Sequence, residues 1–109
     1  MEKKCIFCEI VNGNIPKDFE YQDESIVAFK DIHPVAPIHI LLVPKKHIEE
    51  FYTLEDYTIL QAVHTVAKKL IKKNDLTLRG YKIEVNGGGA QLVNHLHFHL
   101  IGPVRKPTV

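Results

Sequence analysis

The sequence predicts an α+β fold: an antiparallel β-sheet of about five strands, one long helix packed on it, and a short N-terminal helix. Three observations carry this. Residues 95–101 (His95-Leu96-His97-Phe98-His99-Leu100-Ile101) alternate apolar side chains with histidines, the period of a half-buried strand. Residues 54–73 place Leu54, Tyr57, Leu60, Val63, Ala67 and Leu70 at helical spacing, a stripe along one face. Strand signals come before and after this one long helix, an order that suits an antiparallel sheet.

Residues 5–12 predict a short helix stopped by Gly13, with Ile6 and Ile10 four apart on one face. A short strand is expected at 19–21 and a better one at 26–29, broken by Asp31 and then by Pro34 and Pro37. Residues 39–43 are an almost continuous apolar run ended by Pro44, the pattern of a strand covered on both faces. Thr53 is the expected N-cap of the long helix, with Asp56 three positions on as a weakened capping box. Glu55 and Asp56 at its start and Lys68, Lys69, Lys72 and Lys73 at its end match the helix dipole. Residues 81–85 alternate again, with Tyr81, Ile83 and Val85 on one side and Lys82 and Glu84 on the other.

The 109 residues suit one domain, 1–109, able to bury about two-thirds of its unfolded surface. A net charge of +1 offers no broad electrostatic case for nucleic acid or a membrane surface. No apolar run reaches transmembrane length and the N-terminus lacks a signal peptide's apolar core, so a cytoplasmic protein is expected. Without an export signal, Cys5 and Cys8, spaced C-x-x-C, point to metal binding or redox chemistry ahead of a structural disulfide.

The histidine strand is the expected site. Leu96, Phe98 and Leu100 would face the core, leaving His95, His97 and His99 in a row on the other side, about 6.7 Å apart. Two chemistries suit such a row. Strand histidines can ligate a catalytic zinc that keeps an open position for water. Alternatively, one neutral imidazole, with pKa near 6.5, attacks phosphorus itself. Gly87-Gly88-Gly89, flanked by Asn86 and Gln91, is expected to form a nest of backbone N–H groups for an anion beside the row. Cys5 and Cys8 can share one metal ion with two further ligands, for which His33, His39, His47 and His95 are candidates.

These motifs together resemble the histidine triad (HIT) family of nucleotide hydrolases and transferases, on its Hint-like branch with a C-x-x-C zinc site, over nearly the whole chain. The His95–Ile101 stretch is the most specific part. Also similar are Cys5-Ile6-Phe7-Cys8-Glu9-Ile10, Ile15-Pro16, Ala28-Phe29-Lys30-Asp31-Ile32, Pro37-Ile38-His39, Val43-Pro44-Lys45-Lys46-His47 and Gln91 six residues before His97. The resemblance implies a HIT-like fold with His97 as nucleophile, forming a nucleotidyl-histidine that water then hydrolyses. His99 and His39 would bond the phosphoryl oxygens or the leaving group. Gln91 and the glycine loop would hold the developing charge, with Asn86 and Gly89 among the nucleotide-binding residues. Asp31 would take the ribose hydroxyls, and Ile6, Phe7, Ile10, Phe29 and Ile32 the purine. Structural zinc would sit on Cys5, Cys8, His47 and His95, with no organic cofactor and with a homodimer formed through the long helix and a strand edge.

The implied activity is hydrolysis of purine nucleoside phosphoramidates or related AMP conjugates. The alternatives are a dinucleoside polyphosphate hydrolase and a low-turnover nucleotide-binding or scaffold protein. Three departures stand out: a short loop between Asn86 and Gln91, Leu92 where the family usually carries Ser or Thr, and no long C-terminal tail after Val109.

Overall fold

Seven elements run along residues 5–108, the part of the chain that the computed structural model describes. They are α1 (Ile6–Val11), β1 (Tyr21–Gln22), β2 (Ile26–Lys30), β3 (Ile38–Pro44), α2 (Tyr57–Lys73), β4 (Lys82–Val85) and β5 (Phe98–Gly102). The strands form one sheet in the order β1-β2-β3-β5-β4, every pairing antiparallel. The expected α+β architecture is the observed one.

The central strand explains the layering. In β3, Ile40 and Leu42 join Ile26, Ala28, Phe98 and Leu100 on one face, where Val63, Val66, Ala67 and Leu70 of α2 cover them. Leu41 and Val43 point the other way, with Val27 and Phe29, beneath Phe7 and Ile10 of α1. A strand covered on both sides needs apolar residues at consecutive positions, which is why 39–43 lacks alternation. Burying each such side chain contributes about 1.5–3 kcal/mol. The histidine row falls on the α1 face and is itself covered: His95 and His97 are buried and His99 is half-buried.

The long helix starts later than expected. Asp56 is its N-cap, accepting from the Thr58 N–H at 3.0 Å, whereas Thr53 Oγ1 donates to the Glu50 carbonyl. Tyr57 therefore sits in the first turn and is exposed, so the buried stripe begins near Val63 and continues through Val66, Ala67, Leu70 and Ile71. Glu55 and Asp56 precede the helix instead of occupying its first turn. Around α1, Cys5 is the N-cap: the Cys8 N–H points at Cys5 Sγ, 3.4 Å away.

The histidine strand also differs from expectation at its start. β5 begins at Phe98, and residues 95–97 lie outside the ladder, although Leu96, Phe98 and Leu100 still alternate into the core. The reason lies across the sheet. The last β3–β5 pair is Leu42↔Phe98, and two residues beyond it comes Pro44, which has no N–H to donate. The Pro44 carbonyl is taken by the His95 ring and the Leu96 N–H is taken by the Ile48 carbonyl, at 2.7 Å each. Smaller shifts affect β1, which occupies 21–22 and not 19–21, and β4, which starts at Lys82 and leaves Tyr81 outside as part of an exposed edge.

Gly80, at φ +85°, accepts the Val104 N–H on its carbonyl at 3.0 Å and fixes the chain after β5. A Cβ there would lie 2.0 Å from the Val104 carbonyl oxygen. Gly80→Ala is expected to destabilise the fold by more than about 1 kcal/mol. A thermal melt checks this, and an unchanged Tm would show that the 80–104 contact does not constrain the native state.

Candidate functional site

Two clusters of ligating side chains lie on the α1 face. In the first, Cys5 and Cys8 come from the start of α1, His47 from just after β3, and His95 from just before β5. Their donor atoms lie within 4.8 Å of one another. His95 Nδ1 is 3.4 Å from Cys5 Sγ and 3.5 Å from Cys8 Sγ, and His47 Nδ1 is 3.3 Å from Cys8 Sγ. The sulfur–nitrogen edge of a tetrahedral thiolate–imidazole site is about 3.5 Å. The protonation pattern fits too. A carbonyl can only accept, so His95 Nε2–H donates to the Pro44 carbonyl and leaves Nδ1 a bare lone pair aimed at the sulfurs. These four residues are positioned to bind one metal ion. Burial, aided by the Cys5 thiol beside it, pushes the Cys8 thiol up to about 11, so a bound cation would have to displace that proton.

The second cluster is Asp31, His39 and His99. Its hydrogen bonds run the opposite way. The Val35 N–H donates to His39 Nδ1 at 3.2 Å, so in the neutral ring the proton is on Nε2. His39 Nε2–H then donates to His99 Nδ1 at 2.8 Å and lies 3.3 Å from Asp31 Oδ2. A metal would need that same Nε2 lone pair, with Nδ1 donating outward. The second cluster is built to hold protons, not a cation. At its end the His99 Nε2–H is buried with no partner among the described residues.

His97 connects the two clusters. Its Nδ1–H donates to the His95 carbonyl at 2.8 Å, so Nε2 carries the lone pair. Phe7, between the two cysteines, packs edge-on against His97 (5.0 Å between centroids), His95 (5.9 Å) and Phe29 (5.6 Å). One short helix with its N-cap thus supplies two sulfurs positioned for a metal and the aromatic wall beside His97.

His97 and His99 open onto a cavity of about 500 Å³. Every apolar residue expected to hold a base lines it: Ile6, Phe7, Ile10, Phe29 and Ile32, together with Asp31 and Asn86. His39, Gln91 and Gly89 do not line it; His39 reaches it only through His99. The glycine loop is occupied by the chain's own groups. The Gly88 N–H donates to Glu50 Oε1 at 3.1 Å and the Gly89 N–H to Gln91 Oε1 at 3.0 Å. The expected anion nest therefore holds a carboxylate of this chain, and Gln91 is left with its NH₂ as free donor. Sequence reasoning also missed Lys17 and Leu41, which line the cavity, and the Pro44 carbonyl and Val35 N–H that set the two tautomers. No side-chain pattern announces a backbone partner.

Burial, then the neighbouring His97 and His39 rings, lowers the pKa of His99; burial likewise lowers that of His95. A lowered pKa means that the unfolded chain takes up protons first as pH falls below about 6.5. Stability present at neutral pH is then lost progressively from there toward the folded pKa. Tm is expected to fall on acidification from about pH 7 to 5, and less steeply in His99→Asn; a Tm indifferent to that substitution at every pH would exclude His99 as a source.

The family model for the scavenger mRNA decapping enzyme C-terminal binding region matches residues 4–109. A HIT-like protein of Methanocaldococcus jannaschii is 43% identical over 99 residues, covering 89% of this chain and 77% of the relative. Protein HitA of Neisseria gonorrhoeae is 39% identical over 102 residues, covering 90% and 94%. Among solved structures, a histidine triad protein from Clostridium difficile superposes with a TM-score of 0.89 at 39% identity, covering 100% of this chain and 99% of that one. A HIT family hydrolase from Legionella pneumophila gives 0.87 at 40% identity, covering 94% and 95%. With the family model spanning nearly the whole chain and relatives of about 40% identity covered over most of their length, the chain belongs to the histidine triad family.

Proposed function

We propose that the protein is a nucleotide hydrolase that splits purine nucleoside phosphoramidates or related AMP conjugates through a nucleotidyl-His97 intermediate. The observation that carries this is the His97 tautomer: with Nδ1–H held by the His95 carbonyl, the nucleophilic Nε2 needs no deprotonation. The similar Legionella protein's description as a hydrolase supports the reaction class.

The chemistry balances on this chain's own groups. His97 Nε2 forms a bond to phosphorus as the P–N bond to the amine breaks. With the Asp31–His39–His99 chain holding one proton more than its neutral form, the His99 Nε2–H gives the departing nitrogen its proton and the ring is left neutral. Water then attacks phosphorus, the bond to His97 breaks, and the bare His99 Nε2 takes the water's proton. The products are the nucleoside monophosphate and the free amine. His39, itself aligned by the Val35 N–H and Asp31, holds His99 by its Nδ1 and leaves Nε2 out of that chain of bonds. Asp31 lines the cavity where ribose hydroxyls would follow the phosphate, and the apolar slot excludes water from the base. Gln91, outside the cavity lining, would bring its NH₂ to a phosphoryl oxygen only with a shift of the glycine loop toward the substrate. Leu92, 93% exposed at the cavity, offers no hydroxyl to the leaving group, which favours slow turnover as the second reading.

Zinc suits the Cys5, Cys8, His47 and His95 set, two thiolates and two imidazoles without an open position for substrate. It would supply rigidity there, and the fixed His95 would hold the carbonyl that orients His97. A homodimer is consistent with exposed Tyr57 at the start of α2 and exposed Ile83 on edge strand β4.

Two outcomes follow. His97→Ala should lower turnover of adenosine phosphoramidate by about 10³-fold or more, and mass spectrometry of wild-type protein mixed with substrate should find a nucleotidyl adduct on His97. Wild-type turnover by the variant removes the mechanism. Chelation should lower Tm and raise KM more than it lowers kcat, because α1 carries both ligands and slot residues. Loss of all activity with Tm unchanged would instead mark the metal as catalytic.

A further inference from the structure

The cavity has two chemically different ends. His97, His99, Asp31 and Asn86 supply the polar groups suited to phosphate and ribose. The register continues across the sheet from His99 to Leu41 to Phe29, all on the α1 face. Two strand spacings separate Phe29 from His99, about 10 Å, comparable with the span from phosphorus to the far edge of a purine nucleotide. Lys17 stands at that distant end. Its ammonium lies 5.3 Å above the Phe29 ring centroid, and the residue lines the cavity while being only partly exposed. The other lysine lining the cavity, Lys30, is turned to Glu20 at 3.5 Å with its side chain 78% exposed. Among the described residues Lys17 has no carboxylate within 4.0 Å.

A cation held over the apolar floor of a base slot reads one feature of a purine. Guanine and hypoxanthine present two acceptors side by side, O6 and N7. Adenine presents N7 beside an amino donor, which an ammonium, a donor only, cannot match. We infer that Lys17 is a specificity-determining residue that selects 6-oxopurine nucleotides over adenine nucleotides; this rests on the nucleotide reading given above. The plainer role for Lys17, a stem packed over Phe29 with a cation–π contact, would cover the ring without discriminating between bases.

Binding of GMP, IMP and AMP by calorimetry separates these roles without requiring turnover. Wild-type protein should bind GMP and IMP about tenfold or more tighter than AMP. Lys17→Met, which keeps an apolar stem over Phe29, should bring the ratio close to one, and Lys17→Arg should largely restore it. A ratio unchanged in Lys17→Met, a wild-type preference for AMP, or no binding of any mononucleotide overturns the assignment. Hydrolysis of guanosine and adenosine phosphoramidates, run in parallel, keeps the two readings apart. Should neither be hydrolysed while the GMP preference and its loss in Lys17→Met hold, the reaction fails and the role of Lys17 stands. Hydrolysis through His97 with a base ratio indifferent to Lys17 is the converse.

Discussion

The site depends on the placement of His95. Its ring is fully buried, with Nε2–H given to the Pro44 carbonyl and Nδ1 given to the two cysteine sulfurs. Its own carbonyl takes the His97 Nδ1–H. A buried imidazole without partners would cost free energy of desolvation, so each of these bonds is needed for the ring to stay where it is. The same bonds decide which nitrogen of His97 is available to the cavity. Structural support and chemical readiness therefore pass through one residue, and a change at any of its partners is felt at position 97.

Helix α1 completes that arrangement from above. Six residues long, it is too short to persist by its own hydrogen bonds. Phe7 and Ile10 anchor it in the apolar layer over Val27, Phe29, Leu41 and Val43, and Cys5 and Cys8 tie its first turn to His95 and His47. Because Ile6, Phe7 and Ile10 also line the cavity, the shape of the slot follows the position of this helix. The opposite face of the sheet, filled by α2, contributes rigidity and no cavity-lining side chain.

The two histidine clusters show how hydrogen-bond polarity separates sites of similar composition. Both gather imidazoles with acidic or thiol groups at short range. A backbone carbonyl facing His95 leaves a lone pair for a cation, whereas a backbone N–H facing His39 directs that ring's proton toward His99. The glycine loop follows the same logic: its amides are satisfied by Glu50 and Gln91, which orders the loop and turns the Gln91 amide group.

Much of this was legible in the sequence. The alternation over 95–101, the unbroken apolar run of β3 and the stripe of α2 determined the α+β class, because periodicity records which faces are buried. The residue types at Cys5, Cys8, His47, His95, His97, His99 and Asp31 determined what chemistry the chain has available. Only the tertiary structure decided where β5 begins, that Asp56 and not Thr53 caps α2, and that the glycine amides face Glu50. It also decided the tautomers, and it brought Lys17 over Phe29. These outcomes turn on partners distant in the chain and on backbone groups that every residue shares, so the order of side chains carries no trace of them.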